Sequence, residues 1–165
     1  MATNIEEPIA RTAVTIDQIL DIIDAAYVRI DSLLDDLDPY LDSTVYAGEW
    51  NPRRILSHII GAWQRVPVHA AFFLDTSSAG EVPMQLHNDY WIEEWATAPI
   101  AAFRTALKAT YLGNLHFVSE LDPADLDRTA VTPFGEWTLA ELFVVCYNNH
   151  IYSTHAAQLE AFVNR

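Results

Sequence analysis

The 165-residue sequence predicts an all-α fold: a four-helix bundle with a long crossover-type connection and a short extra helix between its second and third main helices. Three observations support this. Four segments carry apolar residues at helical spacings behind recognisable caps, and no stretch sustains the period-two alternation of a half-buried strand. Hydrophobic residues make up 51% of the chain, enough to bury one substantial core. Residues 1–165 therefore read as a single domain, with 1–14 as a flexible N-terminal tail.

The first helix is written in "TIDQILDIIDAAYVRIDSLLDDLDPYL". Ile16, Ile19, Leu20, Ile23, Tyr27, Ile30, Leu33, Leu34 and Leu37 form its apolar side, and acids or Arg29 fill the other. Thr15 and Gln18 make a capping box, Val14 and Ile19 can staple the start, and Asp38-Pro39 predicts the stop. A second helix begins where Asn51 can cap and Pro52 occupies the first turn, a position where its missing N–H costs nothing. Pro67 predicts a kink or short break before "VHAAFFL". The polar, turn-rich run at 75–84 reads as a loop. A short aromatic helix near 89–96 carries Trp91 and Trp95 one turn apart, and a longer helix runs to about Glu120, closed by Leu121-Asp122-Pro123. In the last helix Thr138 and Glu141 form another capping box, ahead of Leu139, Leu142, Phe143 and Cys146.

The phrase "GEW" occurs at 48–50 and again at 135–137, each time ending one residue before a helix cap. The repeat thus reads as a shared way of starting helices two and four. Only the first copy is followed, eight residues after its tryptophan, by a histidine, His58; Val145 holds the equivalent place after the second.

Charge and cysteine content exclude several classes. Nine Lys+Arg against 23 Asp+Glu give a formal charge of −14, and Arg53-Arg54 is the densest basic spot, so the chain is not expected to bind nucleic acid. A single cysteine rules out an intrachain disulfide and suits a reduced, cytoplasmic setting. Neither a signal-like start nor a spanning apolar run is present, so no membrane partner is expected.

Six histidines are candidates for chemistry. His58 stands among Ile55, Leu56, Ile59 and Ile60, while His150 and His155 lie where the last helix turns polar. A buried imidazole needs a partner: a metal ion shared with facing helices satisfies it, and so does a neighbouring backbone or side-chain group. His69 and His116 read as helix-surface or core residues, and His87 lies beside the loop.

The phrases "EWNPRRILSHIIGAW" and "GEWTLAELFVVCYNNHIYSTHAAQLEAF" resemble the DinB-like superfamily of four-helix-bundle metalloenzymes, over about Ile16 to Phe162. The resemblance implies a divalent metal, nickel or zinc, held by one histidine of the second helix and two of the last. His58 and His155 match that pattern, and the remaining ligand is expected four residues before His155, where Ile151 stands. His150 is five residues away. A helix turns by about 100° per residue, so in a regular helix His150 and His155 would point about 140° apart. Either a π-bulge realigns them or one ligand has been lost. The candidate metal ligands are thus His58, His150 and His155, and Trp63, Trp91, Trp95 and Tyr152 are the candidate lining for a small-molecule ligand.

Cys146, four residues before His150, is a conceivable thiolate ligand or a small buried thiol of the apolar stripe. Asn148, Asn149, Tyr152 and Gln158 could orient ligands. Some members of the superfamily are isomerases or S-transferases that use mycothiol or bacillithiol. The expectation is therefore a metal-dependent enzyme of transfer, isomerisation or hydrolysis on a small electrophile, with a low-molecular-weight thiol as co-substrate and a homodimeric assembly. The alternatives are a metal-free bundle that sequesters a small molecule and a structural dimerising bundle. No nucleophile elbow, phosphate loop or HExxH pair is present, and no catalytic side chain can be assigned.

Overall fold

The computed structural model describes residues 13–43, 50–75, 80–84 and 88–164. Residues 1–12 of the expected tail, Gly48 and Glu49 of the first repeated phrase, and His87 lie outside them. Helix α1, Ile16–Asp31, starts at the expected capping box: the Thr15 hydroxyl accepts the Gln18 N–H, and Gln18 Oε1 accepts that of Thr15. Ile19, Ile23, Ala26 and Ile30 carry its buried stripe.

The first helix is not continuous to Asp38 as predicted. It breaks at Ser32-Leu33, where the Ser32 hydroxyl donates to the Arg29 carbonyl at 2.8 Å, a local bond that competes with the helical ladder. A single turn, α2 (Leu34–Leu37), and a 3-10 turn at Asp38–Tyr40 follow, keeping Leu34 and Leu37 in the core.

Helix α3, Pro52–Leu74, is capped by Asn51 Oδ1, which accepts the Arg54 N–H at 3.0 Å. It runs through Pro67 without the predicted break. Pro67 has no N–H to offer the Trp63 carbonyl four residues back. Asn114 replaces it: its Nδ2 donates to Trp63 O at 3.2 Å and to Thr110 O at 2.8 Å, while its Oδ1 accepts the Tyr147 hydroxyl at 2.5 Å. Asn114 is only 2% exposed, so the Trp63 carbonyl and the Tyr147 hydroxyl would otherwise be stranded away from water.

Short helix α4, Asn88–Glu94, lies against α3, where a Cβ on Gly61 would meet the Trp91 ring at 2.8 Å; glycine is what lets the indole approach. Helix α5, Ile100–Ser119, is tied to α1 by Tyr27 stacked on Tyr111 at 4.1 Å and by the Tyr111 hydroxyl donating to Asp24. That carboxylate pushes the Tyr111 phenol up to about 12.

The prediction of no strands fails at one place. Strands β1 (Thr129–Thr132) and β2 (Gly135–Thr138) form an antiparallel hairpin, with Thr132 opposite Gly135 and Thr129 opposite Thr138. Gly135 adopts φ 118°, a left-handed conformation that favours glycine at the turn. The second "GEW" is therefore itself a strand, whose last residue, Thr138, is also the next helix cap. Four-residue strands are too short to display alternation above background.

The last helix is a composite of α6 (Leu139–Phe143), a twelve-residue π segment (Val144–His155) and α7 (Ala156–Val163). α1 and α3 each pack against both α5 and this composite helix, so the four long helices form a ring in the order α1, α5, α3, last helix. The architecture is an all-α four-helix bundle with the hairpin appended. The helices that carry His58 and the His150/His155 pair are thereby neighbours. No helix among the described residues is long and apolar enough to cross a membrane.

Candidate metal centre

His58 faces inward from the N-terminal third of α3, 4% exposed, with the Trp50 indole edge-on to its ring at 5.2 Å between centroids. On the last helix the spacing problem is resolved by the π segment. Hydrogen bonds there span five residues, as from the Ala156 N–H to the Ile151 carbonyl, so residues five apart stand on one face. The Thr154 hydroxyl follows the same spacing, donating to Asn149 O at 2.8 Å. More than a single bulge is involved: the wider register extends over twelve residues. His150 and His155 are thus brought together, and Ile151, where a regular helix would need the ligand, is fully buried core.

The three Nε2 atoms converge. His58 Nε2 lies 2.8 Å from His150 Nε2, which lies 3.3 Å from His155 Nε2, and all three ligand atoms fall within 4.8 Å of one another. Tetrahedral zinc with Zn–N of 2.0–2.1 Å separates its ligands by about 3.3 Å, so the spacing suits a metal with only small adjustments. His155 Nδ1 is 2.7 Å from Gln158 Oε1; an amide oxygen only accepts, so the ring carries its proton on Nδ1 and turns the Nε2 lone pair to the centre. Without an ion, the 2.8 Å His58–His150 contact is a hydrogen bond in which one ring donates; a cation would be met by three inward lone pairs instead. An all-imidazole set selects borderline transition metals over calcium or magnesium.

Electrostatics keep the rings neutral. Burial, reinforced by His58, pushes His150 down to about 4, and burial with the two neighbouring rings pushes His155 down to about 3. At neutral pH both are ready to donate a lone pair. Cys146 is not part of the cluster; burial pushes its thiol up to about 12, which keeps it protonated and inert.

The other candidates are spread more widely. Trp63 is fully buried, edge-on to Tyr147 at 6.2 Å, with no hydrogen-bond partner for its indole N–H. Trp91 covers Gly61, one turn from His58 on α3, and Trp95 packs on Phe103 at 5.0 Å. Tyr152 faces α1, with the Arg29 guanidinium 4.6 Å over its ring. Asn148 donates to Asn149 Oδ1, so those amides engage each other. His69 is core, 4% exposed; burial and then the Arg65 charge lower its pKa, against a smaller opposing pull from the Pro83 backbone.

Sequence reasoning marked Trp50 only as the tryptophan from which His58 is counted, and did not single out Asn114, Arg29 or Glu160. Of these three, Arg29 left a signal, as the one basic residue of α1.

Known structures share this architecture. YfiT from Bacillus subtilis, described as a probable metal-dependent hydrolase with an unusual four-helix bundle topology, superposes with a TM-score of 0.74 at 16% identity, over 97% of this chain and 95% of its own. The sibling lethal factor precursor DfsB gives 0.74 at 16% identity, over 92% and 96%. An uncharacterized protein from Clostridium difficile 630 gives 0.73 at 11%, over 93% and 98%. No curated protein sequence matches significantly. The DinB superfamily profile matches residues 22–157, most of the chain and all three histidines, and the chain belongs to the DinB superfamily.

Proposed function

We propose that the protein is a divalent-metal-dependent enzyme acting on a small electrophilic substrate, with His58, His150 and His155 as the metal ligands. The observation that carries this reading is the convergence of three imidazole nitrogens from two adjacent helices, with His58 and His155 buried and His150 half-buried. A divalent cation held there supplies Lewis acidity, lowering the pKa of water or a thiol and polarising a carbonyl. Three protein ligands leave coordination open to such a molecule.

The chain's own groups bind and orient. Gln158 holds the His155 tautomer, Trp50 stands edge-on to His58, and Trp91 covers Gly61 one turn further along α3. Among the described residues no carboxylate joins the three-histidine cluster. That favours reactions whose activation falls on the metal: hydrolysis, as suggested for YfiT, or transfer or isomerisation with a low-molecular-weight thiol. The description of DfsB as a sibling lethal factor precursor, beside that of YfiT as a probable hydrolase, fits a fold that is not tied to one activity. The reading extends to nickel or zinc as the ion, a homodimer as the assembly and the cytoplasm as the location.

The test is metal content. Protein purified without a histidine tag, from cells supplied with nickel and zinc, is expected to carry one ion per chain, and His58→Ala to carry none. Absence of metal from the unmodified chain in both supplements overturns the reading.

A further inference from the structure

The π segment ends where the ladder changes from five-residue to four-residue spacing. The Ala156 N–H takes the Ile151 carbonyl, and α7 then reaches back four residues, so the next amide takes the carbonyl of Ser153. One carbonyl is skipped in that change, and by count it belongs to Tyr152. Arg29 of α1 donates to that oxygen: its Nη1 lies 2.6 Å from Tyr152 O.

The rest of the guanidinium is fully used. Nε and Nη2 each lie 2.7 Å from a different Glu160 oxygen, a bidentate pair, and the plane covers the Tyr152 ring. Glu160 stands on α7, so a single side chain from a helix without ligands grips both sides of the junction between the two registers. Three-quarters of the Arg29 side chain is shielded from solvent.

We propose that Arg29, held by Glu160, is a positioning residue for the metal centre: by capping the Tyr152 carbonyl it fixes the π register that places His150 beside His155. This inference rests on the metal-binding reading above for its functional meaning. Its physical basis is separate. A continuous α-helix would satisfy the Tyr152 carbonyl from within, with the Ala156 N–H, and would need no arginine. It would also turn His150 about 140° away from His155. The choice between the registers thus decides whether two or three imidazoles share a face, and Arg29 has a bond to make only in the π register.

The experiment compares tag-free, metal-free wild type with Arg29→Met, Arg29→Lys, Glu160→Gln and, as a control ion-pair loss, Arg104→Met. Arg104 of α5 pairs with Asp35 of α2 and with Asp31 at the end of α1, and touches neither Tyr152 nor Glu160 in any hydrogen bond or ion pair among the described residues. Each is titrated with nickel, and the proximity of the His150 and His155 rings is read by NMR in the metal-free state. Arg29→Met is expected to weaken nickel binding by about 10–100-fold, the usual range for a group that orients a ligand, and to lose the ring contact. Arg29→Lys, which can cap the carbonyl but not fork to Glu160, falls between; Glu160→Gln weakens binding by less than Arg29→Met; Arg104→Met leaves affinity unchanged.

Retention of the ring contact in metal-free Arg29→Met overturns the proposal, as does an unchanged nickel affinity in both Arg29→Met and Glu160→Gln. If Arg29→Met does not fold, Glu160→Gln decides by the same two measurements. A wild type that takes up no nickel or zinc defeats the metal reading alone, because the ring contact still reports the register.

Discussion

The two helices that carry the proposed metal ligands both depart from a regular ladder, and they do so in opposite ways. In α3 the irregularity is a proline placed nine residues beyond His58, and the carbonyl it orphans is capped by a neutral, buried amide, Asn114. In the last helix no proline is present; the irregularity lies between the two ligands, and its orphaned carbonyl meets a partly exposed, charged group, Arg29. A defect beyond a ligand is a matter of scaffold stability. A defect between ligands is part of the site's geometry.

That contrast can be broken by experiment. The largest effect expected is at the ligands themselves: His155→Ala should abolish stoichiometric nickel or zinc, weakening affinity by more than the roughly 10–100-fold of an orienting residue, as read by calorimetry. Next, Asn114→Ala strands the Trp63 carbonyl and removes the acceptor of the Tyr147 hydroxyl. Denaturant unfolding should show a loss of about 2–4 kcal/mol, at one or two buried unsatisfied groups, with metal affinity changed little in the protein that remains folded. If instead affinity collapses with a small stability loss, α3's defect is not mere scaffold.

Acid should act on the last helix before α3's amide cap. In the metal-free protein His150 and His155 titrate near 4 and near 3, below the unfolded value of 6.5. Below about pH 6.5 the unfolded chain binds more protons than the folded one, so stability falls as pH drops from there through the folded pKa values. A loss of about 2 kcal/mol or more between pH 7 and 4.5 is expected in chelator, and His150→Gln should reduce it. A flat profile would contradict the burial of these rings. The smallest effect is at the shared helix start: Thr138→Ala should cost about 1 kcal/mol in thermal or chemical unfolding and leave the metal centre intact.

Much of this was legible from local sequence. Thr15-Gln18, Asn51-Pro52 and Thr138-Glu141 announced three helix starts because a cap and its partner lie within three residues of each other. The break at Ser32 and the four-residue strands were not legible, since each is one local bond or one short pairing set against strong helical periodicity. The break expected as one outcome at Pro67 is absent for a different reason. The proline's helix-breaking tendency is real, but the group that compensates is Asn114, 47 positions along in a chain whose pairing only the fold reveals. His58 and His155 could be placed from the pattern they resemble, and the five-residue interval before His155 posed the right question. Its answer depends on Arg29 and Glu160, 131 residues apart, which no local pattern connects.

Cys146 gives that helix a clock of its own. The thiol sits in the π segment with its pKa pushed up to about 12, so while the segment is closed almost none of it is the reactive thiolate. When the segment opens, the thiol returns to its ordinary acidity and can be alkylated. The rate of labelling at neutral pH therefore counts how often the ligand-bearing helix comes undone, and slower labelling in the presence of nickel or zinc would time how long a bound ion keeps it shut.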